Sequence, residues 1–103
     1  MKPLIYGYMR VRDDAGDEEI RRTELELTGF AEVEGFHLAA IFYEFVPGYH
    51  GAFHKLIKEL KRADAHHVVV PSLRHFSGHS ILRDVMVTQL ELEADAEIWT
   101  VEP

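Results

Sequence analysis

Cysteine is absent from this 103-residue sequence, which excludes disulfides, thiolate nucleophiles and sulfur-ligated zinc sites. Basic residues are also few, because 11 Lys and Arg stand against 18 Asp and Glu, for a formal net charge of -7. Contacts of Lys and Arg with phosphates supply much of the affinity of DNA-binding proteins, so we expect no DNA binding by this chain alone. No apolar run reaches the roughly 18 residues that span a bilayer, and the N-terminus lacks a signal-peptide pattern. We therefore expect a cytoplasmic protein with no membrane role.

What the sequence does contain is typical of one globular domain. Its residues are 47% hydrophobic, 11% aromatic and 28% charged, a composition far from that of disordered chains. The length suits one modest core, and no repeat or linker divides it. Residues 1–103 are expected to form a single domain.

The pattern of apolar residues predicts strands and helices in alternation. Continuous apolar runs at 4–11, 37–45, 66–73 and 96–101 predict four strands. Helical spacing follows each of the first three, beginning with a helix that Asp17 can cap and Gly35 ends. The second helix carries Phe53, Leu56, Ile57 and Leu60, and the third carries Ile81, Leu82, Val85, Met86 and Leu90. Residues 46–51 and 74–80 read as loops.

The order β-α-β-α-β-α-β favours an α/β fold of three layers, with a mostly parallel sheet of four to five strands between helices. In such sheets ligands bind at the carboxyl ends of the strands. Three segments follow those ends: residues 10–14, 44–51 and 72–79. We expect them to converge on one surface.

Four segments of the sequence resemble the N-terminal catalytic domain of serine recombinases, the resolvases and invertases. They are "YMRV" on the first strand, "EGFHLAAIFYEFVPG", "FHKLIKELKRADAHHVVVPSL" and "SGHS", and together they span nearly the whole chain. The resemblance implies the resolvase-like (flavodoxin-like) version of the three-layer fold. In that family the first strand reads Tyr-x-Arg-Val-Ser. The serine hydroxyl attacks a phosphodiester, and arginines stabilise the charge that develops on the phosphate.

The residues that this resemblance assigns to the active site are largely replaced. Arg10 matches the arginine of the first strand, but Arg12 stands at the position of the nucleophilic serine, and the glutamines expected in 13–22 have no counterpart. A basic residue of the second loop falls near His50. The family's Leu-Asp-Arg-x-x-Arg segment falls on "LRHFSG", which places Arg74, His75 and Gly78 at the aspartate and the two arginines. These six residues form a vestigial site.

No neighbouring hydroxyl is placed to substitute for the serine. The candidates are Ser72, Ser77, Ser80, Tyr8 and Tyr49, and none lies in the turn after the first strand. Displacing a nucleophile by about 1 Å can cost a hundredfold in rate. The sequence therefore predicts a catalytically inactive relative, with no catalytic residue expected.

The seven histidines admit two further hypotheses. His50 and His54, like His75 and His79, are four residues apart, so a zinc or manganese phosphoesterase with Asp13 or Glu44 as a further ligand is one alternative. The pairs lie partly in predicted loops and no HExxH motif occurs, so we expect no metal and no cofactor. The other hypothesis is an anion-binding pocket of Arg10, Arg12, Arg74 and His75, joined by His50.

Family members continue into a long dimerisation helix and a DNA-binding domain, and this chain is expected to have neither. We expect an interaction or regulatory module that binds a protein partner or itself, for instance as a homodimer. The alternative is a residual DNA-processing enzyme, which would nick DNA or hydrolyse phosphodiesters using Arg10 and histidines. A third hypothesis is a partner that forms inactive mixed oligomers with an intact recombinase.

Overall fold

The computed structural model describes residues 1–102, in which strands and helices alternate as the sequence predicts. The elements are β1 (Leu4–Arg10), α1 (Asp17–Val33), β2 (His37–Glu44), α2 (Gly51–Ala63), β3 (His67–Val70), a short 3-10 turn (Leu73–His75), α3 (Ser80–Ala94) and β4 (Glu97–Thr100). Among these residues, no helix combines the length and the apolar character needed to cross a membrane.

The four strands form one parallel sheet in the order β2-β1-β3-β4. The strand β1 is central, and five of its seven residues are buried, as its continuous apolar sequence predicts. The chain order reverses direction between β1 and β3, because β2 lies on one side of β1 while β3 and β4 lie on the other. The predicted parallel α/β fold is confirmed.

Helices cover both faces of the sheet. On one face, α1 packs its Leu27 and Ala31 against Ile5 and Met9 of β1. On the other face, α2 and α3 pack around Tyr8 and neighbouring side chains of β1 and β3. The four predicted residues of α2 are all buried: Phe53, Leu56, Ile57 and Leu60. The three predicted layers are therefore present.

Gly7 allows α1 to lie close to the sheet. A Cβ atom at this position would lie 3.1 Å from Ile41 Cγ1 and 3.3 Å from Leu27 Cδ1. Both distances are shorter than comfortable carbon–carbon contact. Because Gly7 has no side chain, the side chains of Ile41 from β2 and Leu27 from α1 can lie against the backbone of β1.

One local prediction is wrong, and one predicted helical stripe is only partly buried. Asp17 does not cap α1, because Gly16 is the N-cap residue and Asp17 is the first residue of the helix. In α3, Met86 and Leu90 are buried, but Ile81 and Val85 are 81% and 54% exposed. Apolar residues occupy two adjacent lines along α3, and their spacing alone could not indicate which line faces the sheet.

Candidate functional site at the carboxyl edge of the sheet

The three segments predicted to converge do meet at the carboxyl edge of the sheet, and Arg10 connects them. Arg10 is the last residue of β1, and its backbone N–H donates to His75 Nδ1 at 3.0 Å. Its side chain reaches the same residue, because Nε donates to the His75 carbonyl oxygen at 3.2 Å. The segment after β3 is therefore attached to the end of β1 through both the backbone and the side chain of Arg10.

The rest of the Arg10 guanidinium is bonded to groups of the protein itself. Nη1 donates to the carbonyl oxygens of Val46 at 3.4 Å and Tyr49 at 3.3 Å, both in the loop after β2. Nη2 donates to the carbonyl oxygen of Phe76 at 3.0 Å. Since a guanidinium has five N–H groups in a fixed planar fork, few of them remain for a ligand. Arg10 cross-links the loops that follow β2 and β3.

Two side chains complete the environment of Arg10 Nη2. The Tyr8 hydroxyl lies 3.4 Å from it, and His50 Nδ1 lies 3.3 Å from it. Tyr8 is fully buried, and burial raises the pKa of its hydroxyl well above the ordinary value. The Tyr8 hydroxyl therefore keeps its proton and is not a ready nucleophile.

Glu44 links this network to the start of α2. The side chain is only 2% exposed, and it accepts hydrogen bonds from the Tyr8 hydroxyl at 3.0 Å and from the backbone N–H groups of Ala52 at 3.1 Å and Phe53 at 3.2 Å. The first N–H groups of a helix have no partners within the helix, and its amino end favours negative charge. The Glu44 carboxylate thus fills the position at which α2 would otherwise accept an external anion.

Both histidines of the site are held in the neutral form. Burial lowers the pKa of His50, and the neighbouring Arg10 lowers it further. Burial also lowers the pKa of His75, with Glu102 acting in the opposite direction and Arg10 in the same one. Moreover, His75 Nδ1 can accept the Arg10 N–H bond only when it carries no proton. Neither imidazole supplies positive charge near neutral pH.

Arg12, at the position assigned to the nucleophile, forms surface ion pairs. Its Nε lies 3.2 Å from an oxygen of Asp14, and its Nη2 lies 3.0 Å from Glu19. It borders a cavity of about 210 Å³ together with Arg10 and His75. Its guanidinium is nevertheless occupied by the two carboxylates, so the turn after β1 offers neither a hydroxyl nor an unpaired cation.

Arg74 lies apart from this cluster. It lines a separate groove with Arg83, Ser72 and Glu102, beyond the ends of β3 and β4. Gly78 has open space around it, since an added Cβ would meet no atom within 4 Å. Of the six residues of the vestigial site, the structure therefore joins Arg10, His50 and His75, leaves Arg12 at the border, and places Arg74 in another groove. Gly78 contributes no side chain.

Two other hydroxyl candidates, Ser77 and Tyr49, do not bond to Arg10 through their side chains. The Ser77 hydroxyl accepts a hydrogen bond from the backbone N–H of His79 at 3.1 Å, and the Tyr49 side chain is 58% exposed. Across residues 1–102, no group of three or more His, Asp or Glu side chains is arranged to hold a metal ion.

The sequence analysis missed the part played by Glu44. It named Glu44 only as a candidate metal ligand, whereas the carboxylate binds Tyr8 and the start of α2. One signal was available in the sequence: Glu44 is the single acidic residue in the strand "HLAAIFYE". A buried carboxylate must find hydrogen-bond donors, and the nearest free ones belong to the helix that follows.

Comparison with solved structures identifies the fold, although no family model matches the sequence and no curated protein shows significant similarity to it. The C-terminal catalytic domain of ISC1926 TnpA, an IS607-like serine recombinase, superposes with a TM-score of 0.79 at 16% identity over 97% of this chain and 70% of that one. A resolvase family site-specific recombinase from Streptococcus pneumoniae gives 0.78 at 17% identity, over 98% and 73%. The N-terminal catalytic domain of TP901-1 integrase gives 0.73 at 19% identity, over 95% and 76%.

These similarities place the fold in the class of doubly wound α/β domains with a parallel sheet. Within that class, the chain has the fold of serine recombinase catalytic domains, as the resemblance of its sequence segments implies. At 15–19% identity the agreement concerns the fold alone.

Proposed function

We propose that this chain is a catalytically inactive domain with the serine recombinase fold, which acts through protein contacts as an interaction or regulatory module. The observation that carries the proposal is the environment of Arg10. Its guanidinium is bonded to the carbonyl oxygens of Val46, Tyr49, His75 and Phe76. A residue that would stabilise a phosphate in an enzyme is used here to hold the loops together.

Strand cleavage of the recombinase type needs a nucleophile and a cluster of positive charge at the phosphate. At the end of β1 the side chain is that of Arg12, which is paired with Asp14 and Glu19. Neutral His50 and His75 stand close to Arg10 in place of further cations. Both requirements of the reaction are therefore unmet at the same place.

The hypothesis of an anion-binding pocket stays a prediction, and the contacts give it little support. Such a pocket needs free N–H donors and positive charge. The donors of Arg10 are engaged, Arg12 is paired, and Arg74 lies in another groove. The Glu44 carboxylate moreover occupies the amino end of α2. We propose a structural role for this cluster, with no metal or cofactor.

A cleavage assay on supercoiled plasmid, with Mg²⁺, Mn²⁺ and Zn²⁺ in turn, tests the proposal. Covalent protein–DNA adducts and nicked plasmid are measured for the natural chain and for Arg12→Ser, which restores a hydroxyl at the end of β1. We expect neither chain to react, because the serine would still lack its cationic partners. An active serine recombinase serves as the positive control.

Nicking activity that survives purification and disappears in His75→Ala would instead establish that the chain is a residual DNA-processing enzyme. Arg83→Ala, which truncates a side chain outside the Arg10 cluster, is the control for a substitution elsewhere on the domain.

A second assay addresses the interaction role. We expect affinity purification from native cells to recover a stoichiometric protein partner that remains bound after nuclease treatment. Recovery of nuclease-sensitive nucleic acid alone would contradict the proposal.

A further inference from the structure

The two edge strands of the sheet differ in how their outer edges are protected. The strand β4 has only four residues and begins with exposed Glu97. The strand β2 has eight residues, with no Lys, Arg, Asp or Pro, and its single carboxylate, Glu44, is turned inward and buried. Natural edge strands are usually short, charged, interrupted by proline or covered, because unpaired N–H and C=O groups attract other strands. Only β2 lacks most of these protections.

The outer edge of β2 presents regular backbone over its second half. A bulge interrupts the pairing with β1 near Ala39, but from Ala40 to Glu44 each residue of β2 pairs with successive residues of β1. The Glu44 carbonyl oxygen accepts the N–H of Val11 and so points inward. Because backbone groups alternate in direction along a strand, those of Ile41 and Tyr43 point outward. No strand of residues 1–102 pairs with them.

Apolar surface continues beyond this edge. Phe45 and Val46 follow β2 directly and are 58% and 56% exposed. The ring of Phe45 stacks on that of Tyr43, with centroids 6.0 Å apart. A groove of about 380 Å³ runs along Ile41–Val46 and Tyr49. Backbone donors and acceptors next to an apolar groove are the features used in recognition of an added strand.

We propose that β2 pairs antiparallel with β2 of a second copy of this chain, joining the two sheets into one. The proposal rests on the interaction role given above and names the surface and the partner. The sequence "AAIFY" is complementary to itself about a two-fold axis at Ile41. In that register Ile41 faces its own copy, Ala40 faces Phe42, and Ala39 faces Tyr43, so that each aromatic ring meets a small side chain.

The strand β2 itself presents almost no charge that would oppose self-association. A chain of net charge -7 repels its copies at most surfaces. In the proposed register no two charged side chains of β2 stand opposite each other, and the exposed rings of Phe45 approach His37 of the other copy. The inter-strand hydrogen bonds would centre on Ile41, whose N–H and C=O point outward in both copies. The acidic helices α1 of both copies lie on the same side of the joined sheet, so added salt should strengthen the dimer.

The first test measures oligomeric state and amide exchange on the unmodified chain. Sedimentation equilibrium across micromolar to millimolar concentrations should reveal a dimer that tightens between about 0.05 M and about 0.5 M salt. In hydrogen exchange, the amides of Ile41 and Tyr43 should gain protection as the concentration rises. A monomer at every concentration, with both amides unprotected, would overturn the inference.

Variants then locate the interface. Ala40→Lys places a charge opposite Phe42 of the other copy, and we expect it to raise the dimer dissociation constant by about tenfold or more. Leu92→Lys on α3, where Leu92 is 79% exposed, is the matched control and should leave the constant unchanged. A dimer that is lost in Leu92→Lys and retained in Ala40→Lys would overturn the inference in favour of α3.

Circular dichroism of each variant verifies folding, and the exchange measurement requires no variant. The outcome is independent of the cleavage assay. If the chain is a monomer and does not cut DNA, the β2 dimer is contradicted and the proposed inactivity is not. If the chain is a dimer and nicks DNA, the proposed inactivity is contradicted and the β2 dimer is not.

Discussion

Histidines occur at both ends of the sheet, and the two ends shift their pKa values in opposite directions. At the carboxyl edge, His50 and His75 lie against Arg10, and both pKa values are lowered, chiefly by burial. At the amino edge, His66 lies at the ends of α2 and α3. Its Nδ1 is 3.1 Å from the carbonyl oxygen of Asp95, and its Nε2 is 3.0 Å from a carboxylate oxygen of Asp64. These contacts raise its pKa.

The difference follows from what surrounds each ring. The carboxyl edge is closed by side chains and a guanidinium, so an added proton meets both desolvation and like charge. The amino edge is open to solvent and receives the carbonyl-rich ends of two helices, which favour a cation. The direction in which the pKa of a histidine shifts therefore depends on its place in the fold. The carboxyl edge should be sensitive to substitution and acid, and the amino edge only weakly sensitive to either.

The largest expected effect is that of Glu44→Ala at the carboxyl edge. It removes the acceptor for the Tyr8 hydroxyl and for two amides at the start of α2. We expect the free energy of unfolding to fall by about 3 kcal/mol, because buried donors lose their partners. Urea denaturation at neutral pH measures it. Glu26→Ala, at an exposed position of α1, should change stability by less than about 0.5 kcal/mol.

A somewhat smaller loss is expected for Arg10→Met, which keeps much of the side-chain length and removes the guanidinium. The loops after β2 and β3 lose their shared donor, at a cost of about 2 kcal/mol. Amide exchange should accelerate in residues 46–50 and 73–77 more than in α1. If stability is unchanged, Arg10 does not hold these loops, and its conformation would be set by the loops instead.

Acid should destabilise the domain through His75. Because the folded-state pKa is lowered, the folded chain binds fewer protons than the unfolded chain below the ordinary pKa of about 6.5. The associated stability is present above that pH and is lost as the pH falls through the folded-state pKa. His75→Asn retains an acceptor near Nδ1 and cannot titrate, so its stability should fall less between neutral and mildly acidic pH. Equal acid slopes in both chains would contradict this account.

The smallest effect, of opposite sign, is expected at His66. Its contacts raise the folded-state pKa, so its contribution is present below the ordinary pKa of about 6.5 and is lost as the pH rises through the folded-state value. The ring is exposed, and solvent screens the interaction. His66→Gln should remove a slight gain of stability on the acid side, measured by thermal denaturation. The same gain persisting in His66→Gln would assign it to another group.

The sequence was sufficient to predict the layers, the element order and the buried face of α2, since each depends on local periodicity. It also predicted that three loops would meet. It could not predict the contacts within the site. Arg10 binds carbonyl oxygens of residues 36 to 66 positions away, and no sequence pattern specifies such pairs. Histidine spacing suggested that His50 pairs with His54 and that His75 pairs with His79. In the structure, His50 and His75 both contact Arg10 instead.

The contacts of Arg10 bear on how relatives of this chain are to be judged. In an alignment of recombinase-like sequences, an arginine at this point of the first strand would be counted as a remnant of catalysis. Here it joins the loops that follow β2 and β3 through backbone carbonyl oxygens, a task that does not depend on strand cleavage. Persistence of this arginine is therefore a sign of an intact fold, and activity must be inferred from the serine and the other cations.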